Sequence, residues 1–149
     1  MTLSTRQATI DDLDVLVPLF DAYRQFYSQP PDPDLARRFL RERFEHAQSI
    51  VFLAEEDGAA LGFTQLYPSF SSTRATRIFV LNDLFVAPAG RKRGVGAALL
   101  AVAAEYGRNE GASSLGLRTA RTNLTAQSLY ESQGWTRDAV FLSYDLPLT

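Results

Sequence analysis

The sequence predicts an α/β fold, an α+β arrangement in which a mixed sheet carries helices packed on it. Two observations lead there: short apolar runs of strand length bounded by Gly, Pro, Asn and Asp, and longer segments with apolar residues at three- and four-residue spacing. Their order is β-α-α-β-β-β-α-β-α-β-β, with no internal repeat and no linker, so residues 1–149 are expected to form a single domain.

Residues Leu3 to Ala8 open the chain as a strand. Thr9 then suits a helix N-cap, with Asp11 and Asp12 in the favourable first turn. Leu13, Leu16, Val17, Phe20, Tyr23 and Tyr27 give the following helix one apolar face, and Pro18 is expected to kink it. The run Gln29-Pro30-Pro31-Asp32-Pro33 ends that helix and starts another, capped by Asp32, with Leu35, Phe39, Leu40 and Phe44 inward. His46, the sole histidine, falls at the C-terminal end of this second helix, a structural position for a cation.

Ile50 to Glu55 and Leu61 to Tyr67 read as a hairpin about Asp57-Gly58, with Leu61, Phe63, Gln65 and Tyr67 on one face. A polar loop is expected from Pro68 to Thr76, followed by a long strand from Arg77 to Val86 in which Asn82 and Asp83 interrupt apolar residues. Those two polar side chains call for partners. A third helix is expected from about Gly94 to Arg108, a strand over Ser114 to Thr119, and a fourth helix over Leu124 to Ser132, with Asn123 as N-cap and Gly134 beyond its end. Trp135 to Arg137 and Val140 to Leu146 complete the pattern as two closing strands.

Composition narrows the function classes. Hydrophobic residues make up 46% and charged residues 21% of the chain, as in ordinary globular domains. A net charge of −2 argues against general nucleic-acid binding and leaves Arg91-Lys92-Arg93 as a focal basic cluster. The absence of cysteine excludes disulfides, thiolate metal ligands and a cysteine nucleophile. No leader pattern or membrane-length apolar run is present, so a cytoplasmic location without membrane association is expected.

The basic cluster sits where the third helix begins, and cations there oppose the helix macrodipole. A bound polyanion reverses that penalty, because the first-turn N–H groups, the dipole and the cations then all face negative charge. A pyrophosphate site follows. Two common phosphate motifs do not fit it. A P-loop needs Gly-Lys followed by Ser or Thr, whereas Val95 follows Gly94; the dinucleotide fingerprint needs a third glycine where Leu99 stands.

Strand, Arg91-Lys92-Arg93-Gly94-Val95-Gly96 and helix together resemble the GCN5-related N-acetyltransferase (GNAT) superfamily, whose signature is Arg/Gln-x-x-Gly-x-Gly/Ala after a hydrophobic strand. The stretch from Asn123 to Trp135 is similar to that family's C-terminal motif, and the element order agrees along the whole chain. The resemblance implies a GNAT-like, splayed central sheet. Acetyl-CoA would lie between the strand ending at Val86 and the one beginning near Ser114, with Leu84, Phe85 and Val86 along the pantetheine arm. Arg91, Lys92, Arg93, Gly94, Val95, Gly96 and Ala97 would hold the pyrophosphate, Asn123 would contact the pantetheine, and Tyr130 would donate a proton to the departing thiolate.

The acceptor side is less specified. Similar proteins often carry Leu-Glu-Asp-Leu where this chain reads Leu81-Asn82-Asp83-Leu84. Asn82 cannot act as a base, which leaves Asp83, a water chain or bulk solvent to deprotonate the amine; strand alternation also allows Asp83 a purely structural role. Tyr23, Tyr27, Gln65, Tyr67 and Asn82 are candidates to line the acceptor pocket. The reading is an acetyl-CoA-dependent N-acetyltransferase working by direct transfer to a primary amine of a small molecule or peptide, without a metal, with homodimers expected from the resemblance. A non-catalytic acyl-CoA sensing domain of the same fold is the alternative.

Overall fold

The computed structural model describes residues 2–149. Two compact units are present, one ending at Arg118 and one running from Thr119 to Thr149. The first contains β1 (Ser4–Gln7), α1 (Leu13–Phe26), α2 (Pro33–Glu45), β2 (Ile50–Glu56), β3 (Ala59–Ser71), β4 (Thr76–Val86), α3 (Val95–Asn109) and β5 (Leu115–Gly116). The second holds α4 (Leu124–Ser132).

Local chemistry accounts for the helix starts. Thr9 and Asp12 form a capping box around a short 3-10 turn, Ile10–Asp12, that leads into α1. Arg6 clamps Asp12 with two guanidinium hydrogen bonds, at 2.8 and 3.0 Å, and holds the Asp12 carboxyl below its ordinary range. Pro18 is accommodated within α1. The Asp32 side chain accepts from Leu35 N–H at 3.1 Å at the start of α2, and the buried Asp21 accepts from Asp32 N–H at 2.9 Å, pinning the α1–α2 connection. His46 is the C-cap of α2.

The sheet has the order β1-β2-β3-β4-β5. β1 through β4 pair antiparallel, and β5 joins β4 in parallel. α1 and α2 lie on one face, where Phe20 and Tyr23 meet Phe63 at 6.1 and 5.8 Å between ring centroids. α3 covers the other face, its Tyr106 lying 5.5 Å from both Phe52 and Phe79. Asp57 and Gly58 both take positive φ in the β2–β3 turn, as a tight hairpin requires.

Three expectations are corrected. The polar segment 68–76 is mostly strand rather than loop: β3 and β4 stay paired out to Ser71 and Thr76. β2 leaves β3 at the Ile50–Leu66 pair, so Pro68 lies beyond that ladder and its missing N–H costs no bond to β2. The Arg77 guanidinium, 5.2 Å from the Phe70 ring and 5.8 Å from Phe79, adds cation–π attraction along this arm. The strand expected over Ser114 to Thr119 shortens to Leu115–Gly116, because pairing with β4 stops at Val80–Gly116. The two closing strands are not formed among the described residues. Their alternating sequence favours a strand, but a strand needs a neighbour to receive its backbone groups. Among the described residues no helix is long and apolar enough to cross a membrane.

Candidate active site

A β-bulge organises the centre of the sheet. Gln65 pairs with Asp83 but Leu66 pairs with Leu81, so Asn82 is an extra residue in β4. In a regular strand Phe79 and Phe85 would share a face, being an even number of residues apart. Here Phe79 packs on Tyr106 of α3, while Phe85 packs on Tyr23 of α1 at 6.3 Å. The bulge therefore switches the phase of the strand and lets β4 bury a phenylalanine on each side.

The switch also buries Asp83, which is 2% exposed. One carboxylate oxygen accepts from Gln65 Nε2 at 2.5 Å and the other from Asn82 Nδ2 at 2.8 Å. The simple alternation that would set Asn82 against Asp83 fails at the bulge, and the two belong to one network. Thr64 Oγ1 donates to the Asp83 carbonyl at 2.8 Å, and Tyr23 Oη donates to the Asn82 carbonyl at 3.2 Å. Burial pushes the Asp83 carboxyl up, against the opposing effect of the hydrogen bonds it accepts from Gln65 and Asn82. Burial, reinforced by the Asp83 charge, also pushes the Tyr23 and Tyr67 phenols up, so both keep their protons at neutral pH. Tyr27 stands against Tyr23 at 5.2 Å and is about half exposed. Tyr23, Gln65, Asn82 and Asp83 thus meet directly, Tyr67 joins them electrostatically, and Tyr27 extends the aromatic surface outward. Thr64 had no distinguishing sequence signal, since its role depends on cross-strand register.

The second feature is the end of β4. Beyond the Val80–Gly116 pair, residues 81–86 have no ladder partner on the β5 side among the described residues. Leu84 and Val86 are half-buried there, whereas the Phe85 side chain is buried against Phe63 and Tyr23, leaving only its backbone for contact with a ligand. Pro88–Gly90 makes a 3-10 turn, and Gly94 caps α3 at φ +80°, the left-handed region that glycine enters without strain. The first i→i−4 bond of α3 runs from Ala98 N–H to the Gly94 carbonyl at 3.0 Å. The amides of Val95, Gly96 and Ala97 precede it and are available to an anion, and no side chain caps this helix. Arg91 Nε donates to the Val86 carbonyl at 3.2 Å. Arg93 pairs with Glu56 and donates to the Ala89 carbonyl at 3.2 Å, a commitment that the sequence did not signal. Lys92 is exposed, at φ +61°.

In the C-terminal unit, Asn123 Oδ1 accepts from Ala126 N–H at 3.1 Å, capping α4. Tyr130 lies on the same helix, its ring 6.1 Å from that of Trp135, whose N–H donates to the Tyr130 carbonyl at 3.1 Å. Gln127 ties this unit together, donating to the Ala120 and Arg121 carbonyls at 3.0 Å and accepting from Arg137 at 2.9 Å.

The model of the acetyltransferase (GNAT) family matches residues 16–135. The chain belongs to the GNAT acetyltransferase family. It is 45% identical over 144 residues to an uncharacterized N-acetyltransferase of Bacillus subtilis (strain 168), covering 97% of both chains. A crystal structure of a probable acetyltransferase is 40% identical and superposes with a TM-score of 0.94, covering 98% of each chain. An aminoglycoside N-acetyltransferase solved in complex with CoA shares the fold, with a TM-score of 0.81 at 22% identity over 97% of this chain and 95% of that one. As a GNAT protein the chain is an acetyltransferase enzyme, and the β4–β5 pairing that stops at Val80–Gly116 and the α3 N-terminus without a side-chain cap are features of its own fold.

Proposed function

We propose that this GNAT enzyme transfers the acetyl group of acetyl-CoA to a primary amine of a small molecule or peptide, by direct attack within a ternary complex. The observation that carries the reading is the continuity between the open edge of β4 and the amides of Val95, Gly96 and Ala97. An extended amide-bearing chain fits along the first, and a pyrophosphate fits at the second. The CoA complex of the aminoglycoside N-acetyltransferase supports the choice of donor. Both compact units are proposed to serve one acetyltransferase domain spanning 1–149, working in the cytoplasm.

In this reading the backbone of Leu84, Phe85 and Val86 pairs with the pantetheine arm. The loop from Arg91 to Ala97 holds the pyrophosphate; Arg91 and Lys92 supply charge directly, while Arg93, paired with Glu56, stiffens the loop. Asn123 contacts the pantetheine through its free amide edge. The amine nitrogen attacks the thioester carbonyl, the C–S bond breaks, and Tyr130 Oη gives its proton to the sulfur. Lack of cysteine supports direct transfer over a thioester-linked enzyme intermediate. Tyr23, Tyr27, Gln65, Tyr67 and Asn82 line the acceptor side, with Asp83 as the proton acceptor for the amine, made more basic by burial.

A second reading of Asp83 has its own observation: both carboxylate oxygens already accept hydrogen bonds, as in a structural carboxylate. The pH–rate profile of Asp83→Asn separates the two roles. Thiol release from acetyl-CoA across a panel of polyamines, amino acids, aminoglycosides and peptide amines tests the activity and finds the acceptor class. Release above the acceptor-free background with at least one amine supports the reading, and its absence throughout the panel contradicts it.

A further inference from the structure

The chain carries its positive charge almost wholly on arginine. Of its 15 basic residues fourteen are arginines, and Lys92 is the one lysine in 149 residues. A guanidinium stays protonated at any pH a protein meets and is no nucleophile. Lys92 Nζ is therefore the only side-chain primary amine in an enzyme that transfers acetyl groups, and it stands in the loop proposed to hold the donor's pyrophosphate.

The geometry of the loop sets Lys92 apart from its neighbours. Arg91 is engaged with the Val86 carbonyl, and Arg93 with Glu56 and the Ala89 carbonyl. Lys92 is exposed and makes no hydrogen bond or ion pair among the described residues. Its backbone sits at φ +61°, in the left-handed region that suits glycine or asparagine and disfavours a long side chain. Strain of this kind is retained where a site uses it. A loop that needed only a turn here would carry glycine, and one that needed only charge would carry arginine, as the chain does at every other basic position. The combination singles out the amine.

We propose that Lys92 Nζ is an acetylation site with acetyl-CoA as the donor, and that its modification weakens the donor site; the second half rests on the function proposed above. The unprotonated Nζ attacks the thioester carbonyl carbon. The N–C bond forms, the C–S bond breaks, the amine's proton passes to solvent and the CoA thiolate leaves. The resulting amide is neutral and cannot pair with phosphate as an ammonium does. Arg91 and the amides of Val95, Gly96 and Ala97 still face the pyrophosphate, so affinity falls without vanishing. A bound pyrophosphate covers Lys92, which directs the modification to copies whose donor loop is empty. In the proposed pose the thioester lies at the far end of the arm along β4, out of reach of the loop. The acetyl group therefore comes from a second acetyl-CoA molecule, either free or held by another copy of the chain.

The test needs no substitution to begin. Purified chain at several concentrations is incubated with acetyl-CoA and no acceptor amine, then mapped by peptide mass spectrometry; desalted samples are titrated with CoA by calorimetry. Expected are an acetyl group on the peptide containing Lys92 and a Kd for CoA raised by about 3- to 10-fold in the acetylated chain. Lys92→Gln, neutral with an amide at its tip, should weaken CoA binding to a similar degree, while Lys92→Arg should keep its own affinity through the same treatment. A labelling rate that climbs with protein concentration identifies another copy as the source, and a constant rate identifies free acetyl-CoA; Lys92 is the site in both cases. An unlabelled Lys92, an acetylated chain that binds CoA as tightly as the untreated one, or an equal loss in treated Lys92→Arg overturns the proposal. If the untreated chain binds no CoA, the proposed function fails; if it binds CoA and Lys92 stays unlabelled, the modification alone fails.

Discussion

At Asp83, burial and hydrogen bonding act in opposite directions on one carboxyl group, and burial prevails. The folded protein then holds this proton more tightly than the unfolded chain, whose aspartate titrates near its ordinary 3.8. Its contribution to stability is fully present below that value and is lost as pH rises through the raised folded value. Asp83→Asn is accordingly expected to gain in urea midpoint relative to wild type as pH rises above about 4; a constant difference would contradict the raised carboxyl. The same variant is expected to lose about 10- to 100-fold in turnover and to lose the acidic limb of the pH–rate profile if Asp83 takes the amine proton. A limb that persists would place deprotonation in solvent. Tyr130→Phe is expected to lower turnover by about 10- to 1000-fold with acetyl-CoA affinity unchanged, as measured by single-turnover kinetics and calorimetry. At this scale the sequence was informative about residue chemistry: Asn82, Asp83 and Gln65 stood out as polar residues in apolar strands. Their mutual bonding was not legible, because a one-residue bulge decides which of them meet.

Strand β4 shows how far an element is written in its own residues. Its apolar run marks it as a strand, yet its two-faced burial depends on the bulge, which exists only in register with β3. Helices were more legible, since Thr9, Asp32 and Asn123 act through atoms a few residues away. β5 and the segment after Trp135 were least so, because their strand character depends on a neighbour rather than on their own sequence. The close approach of β3 to β4 and α3 gives a test at this scale. A Cβ on Gly62 would lie 2.6 Å from the Phe85 carbonyl oxygen and 3.2 Å from Val95 Cγ1, both in the wall of the proposed donor site. Gly62→Ala is expected to destabilise the protein by about 1–3 kcal/mol, read from urea unfolding. A loss below about 0.5 kcal/mol would show that β4 can shift away, and with it the open edge.

In the whole molecule, the open edge of β4 and the uncapped start of α3 make up the proposed donor site of an acetyltransferase fold. Ligand linkage gives a global expectation: saturating acetyl-CoA at about 100 times its Kd should raise stability by about 2.7 kcal/mol, whereas ATP, lacking an amide-bearing arm for β4, should give much less. Equal stabilisation by both would mean that only the phosphates are recognised. Calorimetric titration of acetyl-CoA into the wild type and into Gly94→Glu tests the proposed donor site most directly. A side chain at Gly94 enters open space, so the variant should fold with only the modest cost of its left-handed φ. Its carboxylate would then face the amides of Val95, Gly96 and Ala97. Saturable binding in the micromolar to submillimolar range by the wild type, with no measurable heat from Gly94→Glu, is the predicted result. Equal affinity in the two proteins, or no binding by the wild type at millimolar acetyl-CoA, would contradict it.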